Sequence, residues 1–149
     1  KKGEISLWSV RMRPAKPLAF GVLNSPEGKK IPHLGLPGNP VSAMVAFIQF
    51  GRQAIGIMMG RIPLPNPKLT AILDDPITNF DGRRVYARVY VYKSDGGDYR
   101  ARITGSQSSG VLTSMAVANG LGICPEDIDR INTGEKIQVE MIDWPEEIF

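Results

Sequence analysis

At 149 residues the chain has room for one medium domain or two small ones, and a content of 42% hydrophobic and 22% charged residues is ordinary for a globular protein. A formal charge of +3 and a pI near 9.1 admit an anionic ligand without requiring nucleic acid. The single cysteine, Cys124, excludes an internal disulfide and a multi-cysteine zinc site. The first residues, Lys1-Lys2-Gly3-Glu4, show no apolar leader of the signal-peptide kind. They pass so abruptly into an apolar segment that a piece of a larger protein is expected.

Ile5 to Met12 reads as a strand, Arg13-Pro14-Ala15-Lys16-Pro17 as a proline-stiffened loop, and Leu18 to Leu23 as a second strand closed by the turn Asn24 to Gly28. Ile31 to Leu36 is a third short strand; His33 lies at its start, where a structural role is expected rather than pairing with Cys124. Val41 to about Met59 reads as a helix with Val41, Met44, Val45, Ile48, Ile55 and Met59 on its buried face. Gln49, Gly51, Arg52, Gln53 and Gly56 interrupt the segment, so a core helix is expected rather than a membrane span, and Gly60 serves as its stop. Pro63, Pro65 and Pro67 alternate in a stiff segment suited to a linker.

The second half reads as mostly β. Lys68 to Leu73 is a short strand, and Arg83 to Lys93 a long one in strict alternation. Val85, Ala87, Val89 and Val91 face one way, while Tyr86, Arg88, Tyr90 and Tyr92 face the other. A hairpin turn at Ser94 to Asp98 leads to strands at Tyr99 to Thr104, Gly120 to Pro125 and Lys136 to Ile142. Short strands separated by close turns predict a small β-barrel. Cys124, in Gly122-Ile123-Cys124-Pro125, reads as a buried structural thiol.

Three segments invite chemistry. In Gly35-Leu36-Pro37-Gly38-Asn39-Pro40-Val41-Ser42-Ala43, Asn39 suits an N-cap and Pro40 the first helical position. The free amides of that first turn offer an anion site, set against the plainer reading of a strand-turn-helix connection. Arg13 and Lys16 add two cations; with parallel neighbouring strands their loop would emerge on the same sheet edge, or else it is a solvated basic turn. Thr104 to Gly110 is rich in hydroxyls and glycine, followed by a short helix at Ser114-Met115. No histidine lies in this half, so a ligand contact or helix cap is expected rather than a catalytic serine. Asp74-Asp75 and the Glu126, Asp127, Asp129, Arg130 group read as turn and surface charges without calcium-loop spacing.

Met12-Arg13-Pro14-Ala15-Lys16-Pro17-Leu18-Ala19-Phe20-Gly21 resembles the Lys-Pro-Gly-Lys-Pro-x-x-x-Gly segment of the molybdopterin molybdotransferases, a family that includes the C-terminal domain of gephyrin. Gly35 to Ala43 is similar to that family's most specific signature. Gly105 to Gly110 with Leu112, Ser114-Met115-Ala116 and Ala118-Asn119-Gly120 resembles its C-terminal domain motif, and Thr133 to Val139 its closing segment. The resemblance implies an α/β plus β architecture. Residues 1–62 would be the second half of a three-layer α/β molybdopterin-binding domain of the MogA/MoaB kind, 63–67 a linker, and 68–149 the C-terminal β-barrel.

It also implies insertion of molybdate into adenylylated molybdopterin, with magnesium, giving molybdenum cofactor and AMP. The enzyme would be a cytoplasmic homodimer, and a molybdopterin adenylyltransferase a partner. By motif position, Arg13 and Lys16 would be the catalytic, oxyanion-binding cations, with Pro37, Gly38, Asn39, Pro40, Ser42 and Ser109 at the substrate. The family's glycine-rich turn and acidic magnesium ligands would precede Lys1, leaving no metal ligand in this segment and no activity in it alone. Ala15 stands where the family has glycine, Arg13 where it commonly has lysine, and Ser108-Ser109 lie in a variant serine motif. These departures bear on the choice between molybdate and tungstate.

Two other classes remain open on the residues. Arg84, Tyr86, Arg88, Tyr90 and Tyr92 interleave cations with aromatics, as a nucleic-acid-binding barrel would. A protein scaffold is the other, resting on fold analogy alone.

Overall fold

The computed structural model describes residues 3–62 and 65–143. Lys1-Lys2, residues 63–64 of the expected linker and the tail from 144 lie outside the described residues. The chain begins with β1 (Gly3–Ser9), β2 (Met12–Arg13), β3 (Pro17–Asn24) and β4 (Lys30–Gly35). A short reversal at Ser25 to Lys29 joins β3 to β4, and a link this brief can connect only antiparallel strands. The sheet β1-β3-β4 is accordingly antiparallel throughout, which corrects the parallel arrangement considered from the sequence.

The expected single strand from Ile5 to Met12 is also divided. Val10 donates its N–H to the Lys16 carbonyl at 2.8 Å, turning the chain out of the sheet so that β2 pairs elsewhere. Gly21, which closes the first motif, lies against the Glu4 carbonyl and the Ile5 backbone, where a Cβ has no room.

One helix, α1, runs Pro40–Met58. Asn39 caps it, accepting from the Ser42 N–H at 3.4 Å, with Pro40 at the first position as expected. Its 19 residues are long and apolar enough by length and composition to cross a bilayer. Instead, Val41, Val45, Ala46 and Ile48 are buried in a protein core. Met44, Ile55 and Met59, expected on that face, are exposed. A π-helical turn lies at Phe47–Gly51, and beyond it Arg52–Met58 buries no residue on any face, so the last two are exposed because nothing among the described residues covers that half of the helix. Gly60, at φ 73, ends the helix as expected.

The remaining strands are β5 (Lys68–Leu73), β6 (Ile77–Thr78), β7 (Arg84–Lys93), β8 (Tyr99–Ile103), β9 (Gly120–Cys124), β10 (Arg130–Ile131) and β11 (Lys136–Met141), with a short helix α2 (Thr113–Val117) before β9. Strands β7, β8, β5, β11 and β9 are hydrogen-bonded in that order, and β9 returns to β7, closing a five-stranded barrel. The length of β7 makes closure possible: Val85 to Val89 pair with β9, and Val89 to Lys93 with β8. Val85, Ala87, Val89 and Val91 point inward as the alternation predicts, meeting Leu73, Ala101, Cys124 and Val139. Cys124 is buried there, and desolvation pushes its thiol above the usual range.

The outer face of β7 is covered at one end. Tyr86 and Leu121 of the barrel, with Met115 of α2, share a second core with Met12, Ala15, Val41, Val45, Ala46 and Ile48. Two further ties cross this seam. Strand β2 adds to the barrel sheet in parallel with β7, Met12 opposite Arg84 and Arg13 opposite Val85. Buried Glu140 accepts from Gln49 of α1 at 2.7 Å and pairs with Lys68 at 3.3 Å.

Candidate functional site

The antiparallel sheet places the first two motifs together by its own route. Ser9 lies opposite Pro17, and Ala19 opposite Gly35, so the 13–17 turn and the turn entering α1 emerge at one sheet end. Because β2 then joins the barrel, this end faces the barrel mouth. A cleft of about 730 Å³ lies between them, lined by Arg13 to Pro17, Ser42, Pro76 to Thr78, Phe80, Asp81, Arg83, inner positions of β7, and Gln107 to Ser109. Of the sequence candidates, Arg13, Lys16, Ser42 and Ser109 line it. Pro37, Gly38, Asn39 and Pro40 do not; they form the turn and cap that deliver Ser42 to it.

The 13–17 turn is held in a demanding conformation. Ala15 has φ 77, the left-handed region that favours glycine. Its side chain is nonetheless buried in the shared core, so packing holds the alanine where a free loop would not. Lys16, next in the chain, is exposed on the cleft, and its ammonium has no hydrogen-bond or ion-pair partner among the described residues.

The other cations of the cleft are committed. Arg13 Nη2 donates to the Thr78 carbonyl at 2.8 Å, Nη1 lies 3.6 Å from Asp81 Oδ2, and the guanidinium sits 4.1 Å above the Phe80 ring. Arg83 Nε donates to Asp81 Oδ2 at 2.9 Å, Nη2 binds the same oxygen, and Nη1 reaches the Met12 carbonyl at 3.3 Å. The Arg83 hydrogen bond, foremost, holds the Asp81 carboxyl below the usual range. Arg88 is buried on the outer side of β7, its charge disfavoured by desolvation. It donates to the carbonyls of Ser106 and Ser108 at 3.3 and 3.1 Å and to Ser114 Oγ at 3.2 Å, while its backbone N–H donates to Gln107 Oε1 at 2.8 Å. Arg88 thus fixes the loop that brings Ser109 to the cleft.

Phe80, Asp81, Arg83 and Thr78 are the site residues that sequence reasoning missed, while Gln107 falls within the Thr104 to Gly110 segment it singled out. Their signal is Asp81-Gly82-Arg83-Arg84, an acid-glycine-arginine turn before a strand, with Gly82 at φ 62. The nucleic-acid face weighed as an alternative on β7 is not favoured, because its residues are largely committed elsewhere. Arg88 and Tyr86 are buried, Arg84 Nε donates to Glu126 at 3.0 Å, and the Tyr92 hydroxyl donates to Asp74 at 2.8 Å.

The magnesium implied by the family resemblance has no fit on this cleft. Asp81 is the one carboxylate lining it among the described residues and is already shared by two arginines. Nor does any group of three or more His, Cys, Asp or Glu stand together among them.

Residues 70–142, the barrel, match the MoeA C-terminal region (domain IV). Over 94% of its length the chain is 28% identical to a molybdopterin molybdenumtransferase of Haemophilus influenzae, covering 34% of that protein. Molybdopterin molybdenumtransferase 1 of Mycobacterium tuberculosis is 33% identical over 94% of the chain, which covers 33% of it. A crystal structure of the molybdopterin biosynthesis moeA protein of Pyrococcus horikoshii superposes with a TM-score of 0.67 at 28% identity, over 93% of this chain and 32% of that one. The chain therefore spans about a third of the length of these relatives. With its barrel matched to domain IV and its β1–α1 half aligned alongside, the chain is similar over nearly its whole length to about a third of these molybdopterin molybdenumtransferases.

Proposed function

We propose that the chain serves as the C-terminal part of a longer cytoplasmic, homodimeric enzyme that inserts molybdate into adenylylated molybdopterin, releasing AMP. The observation that carries this reading is the cleft itself: four cationic side chains line it, and Lys16 alone among them is uncommitted within the described residues. An ammonium lining the same cleft as the buried Ser42 and the half-buried Ser109 suits a tetrahedral oxyanion such as molybdate or a phosphate of the substrate. Lys16 would bind the oxyanion and Ser109 would donate a hydrogen bond to it. The Pro37 to Ser42 turn would set the wall against which the pterin lies. Arg13, grouped with Lys16 on sequence grounds, shapes the turn instead.

Magnesium, where bound, would neutralise phosphate charge, and its ligands would come from other parts of the enzyme. The β1-β3-β4 sheet and the second half of α1 would form part of a three-layer α/β domain. Support comes from the apolar surface they leave exposed, including Ile5, Leu7, Trp8, Phe20, Ile57 and Met58. An adenylyltransferase would hand over the adenylylated substrate.

The test is AMP release from adenylylated molybdopterin by the proposed full-length enzyme and by residues 1–149 alone. Release dependent on molybdate is expected from the first and none from the second. A folded full-length protein that releases no AMP would remove the proposal.

A further inference from the structure

Among the described residues one acid lines the cleft, and it joins the two halves of the chain. Asp81 lies in the turn before β7, while Arg13 belongs to β2, which arrives from the first half of the chain. Asp81 Oδ2 receives Arg83 through Nε and Nη2, and the same oxygen lies 3.6 Å from Arg13 Nη1. Arg83 reaches on to the Met12 carbonyl, and Arg13 to the Thr78 carbonyl. The two arginines therefore cross-link the 12–16 turn to the barrel rim, with Asp81 as acceptor for Arg83 and as counter-charge for both. Arg13 Nη1 is buried without a hydrogen-bond partner, so it presents no accessible donor to a ligand. Phe80 covers the other side of the same guanidinium.

We propose that Asp81 is a positioning residue of the cleft: by holding Arg13 and Arg83 it locks the 12–16 turn against the barrel and fixes where Lys16 meets an oxyanion. This rests on the function proposed above, but it makes a prediction opposite to simple electrostatics. Neutralising a carboxylate beside an anion site ordinarily strengthens anion binding, since one repulsion is removed. If Asp81 positions Lys16, neutralising it weakens binding, because the turn loses its anchor.

The experiment uses Asp81→Asn and Asp81→Glu in the proposed full-length enzyme, reading the KM for molybdate, kcat, and amide hydrogen exchange in 10–17. For Asp81→Asn, the KM for molybdate is expected to rise about tenfold with a smaller change in kcat. Exchange in 10–17 should quicken about tenfold while 85–91 in β7 keeps its protection. Asp81→Glu should restore part of both effects. An unchanged or lowered KM in Asp81→Asn would overturn the proposal, as would unchanged exchange in 10–17. If the unsubstituted enzyme shows no molybdate-dependent turnover, the functional reading falls, and the exchange measurement alone decides whether Asp81 anchors the turn.

Discussion

The barrel of β5, β7, β8, β9 and β11 buries Leu73, Val89, Val91 and Val139 completely, whereas the β1-β3-β4 sheet leaves Leu7, Trp8 and Phe20 largely exposed. Both regions alternate or cluster apolar residues with similar density in the sequence. Closure makes the difference. A barrel supplies its own second layer, because each strand's inner face meets the others across the axis. An open three-stranded sheet buries a face only when another element lies over it. Here the Val41 to Ile48 half of α1 is spent on the seam with Tyr86 and Leu121 of the barrel, and β1, β3 and β4 hold no buried residue. An apolar pattern therefore shows that a face is meant for burial, not which element covers it.

The contrast can be broken most forcefully by placing the same acid in both regions. Val89→Asp puts a carboxylate in the closed core and should cost more than about 4 kcal/mol, enough to abolish cooperative folding. Leu7→Asp, at 86% exposure, should change stability of residues 1–149 by less than about 0.5 kcal/mol. Thermal unfolding of both variants decides the matter; equal losses would mean that β1 is covered in solution. In the proposed full-length enzyme the Leu7 change should become costly, which would sharpen the assignment of this sheet to a three-layer domain.

Gly21→Ala comes next. With the Glu4 carbonyl in the space a Cβ needs, β1 must shift from β3, at a cost of about 1–3 kcal/mol. Exchange protection should fall in β1 and β3 while the barrel amides keep theirs. Ala15→Gly is smaller and opposite in sign. It relieves a left-handed alanine, worth about 1–2 kcal/mol, against the loss of one buried methyl, worth about 0.8 kcal/mol. A slight rise in melting temperature is expected; a fall would show that the buried methyl outweighs the strain.

The smallest effect is on pH dependence. The folded Asp81 carboxyl titrates below its ordinary value of about 3.9, so its stabilisation is present above that pH and is lost as the pH falls through the lowered value. Urea unfolding below about pH 4 should therefore be less steeply acid-sensitive in Asp81→Asn than in the unsubstituted protein. Equal acid sensitivity would show that the Arg83 contact does not persist in solution.

Local rules made much of this legible. Strict alternation in Val85 to Val91 gave the inward face of β7, and Asn39-Pro40 gave the cap of α1. The barrel followed from short strands between close turns. Hidden from such rules was whatever depends on long-range pairing. The departure of Met12-Arg13 to pair with β7 crosses nearly half the chain, and no local pattern announces it. The exposure of Ile55 and Met59 was equally hidden, because helical spacing shows a face meant for burial and not that nothing here covers Arg52–Met58. The site was half legible for the same reason: Arg13, Lys16 and Ser109 stood out by motif, while Asp81 and Arg83 gain meaning only once β2 arrives beside them. Arg88, read as one of a row of exposed cations, is instead enclosed by the 106–109 loop that it holds.

The most direct test of the central claim, that Lys16 is the cleft's working cation, is Lys16→Ala in the proposed full-length enzyme, assayed for molybdate-dependent AMP release. Exposed Lys16 has no partner to lose among the described residues, so the melting temperature should hold while kcat/KM falls about a hundredfold or more. Full activity in Lys16→Ala, with the unsubstituted enzyme active, would contradict the account and move the oxyanion to another part of the protein.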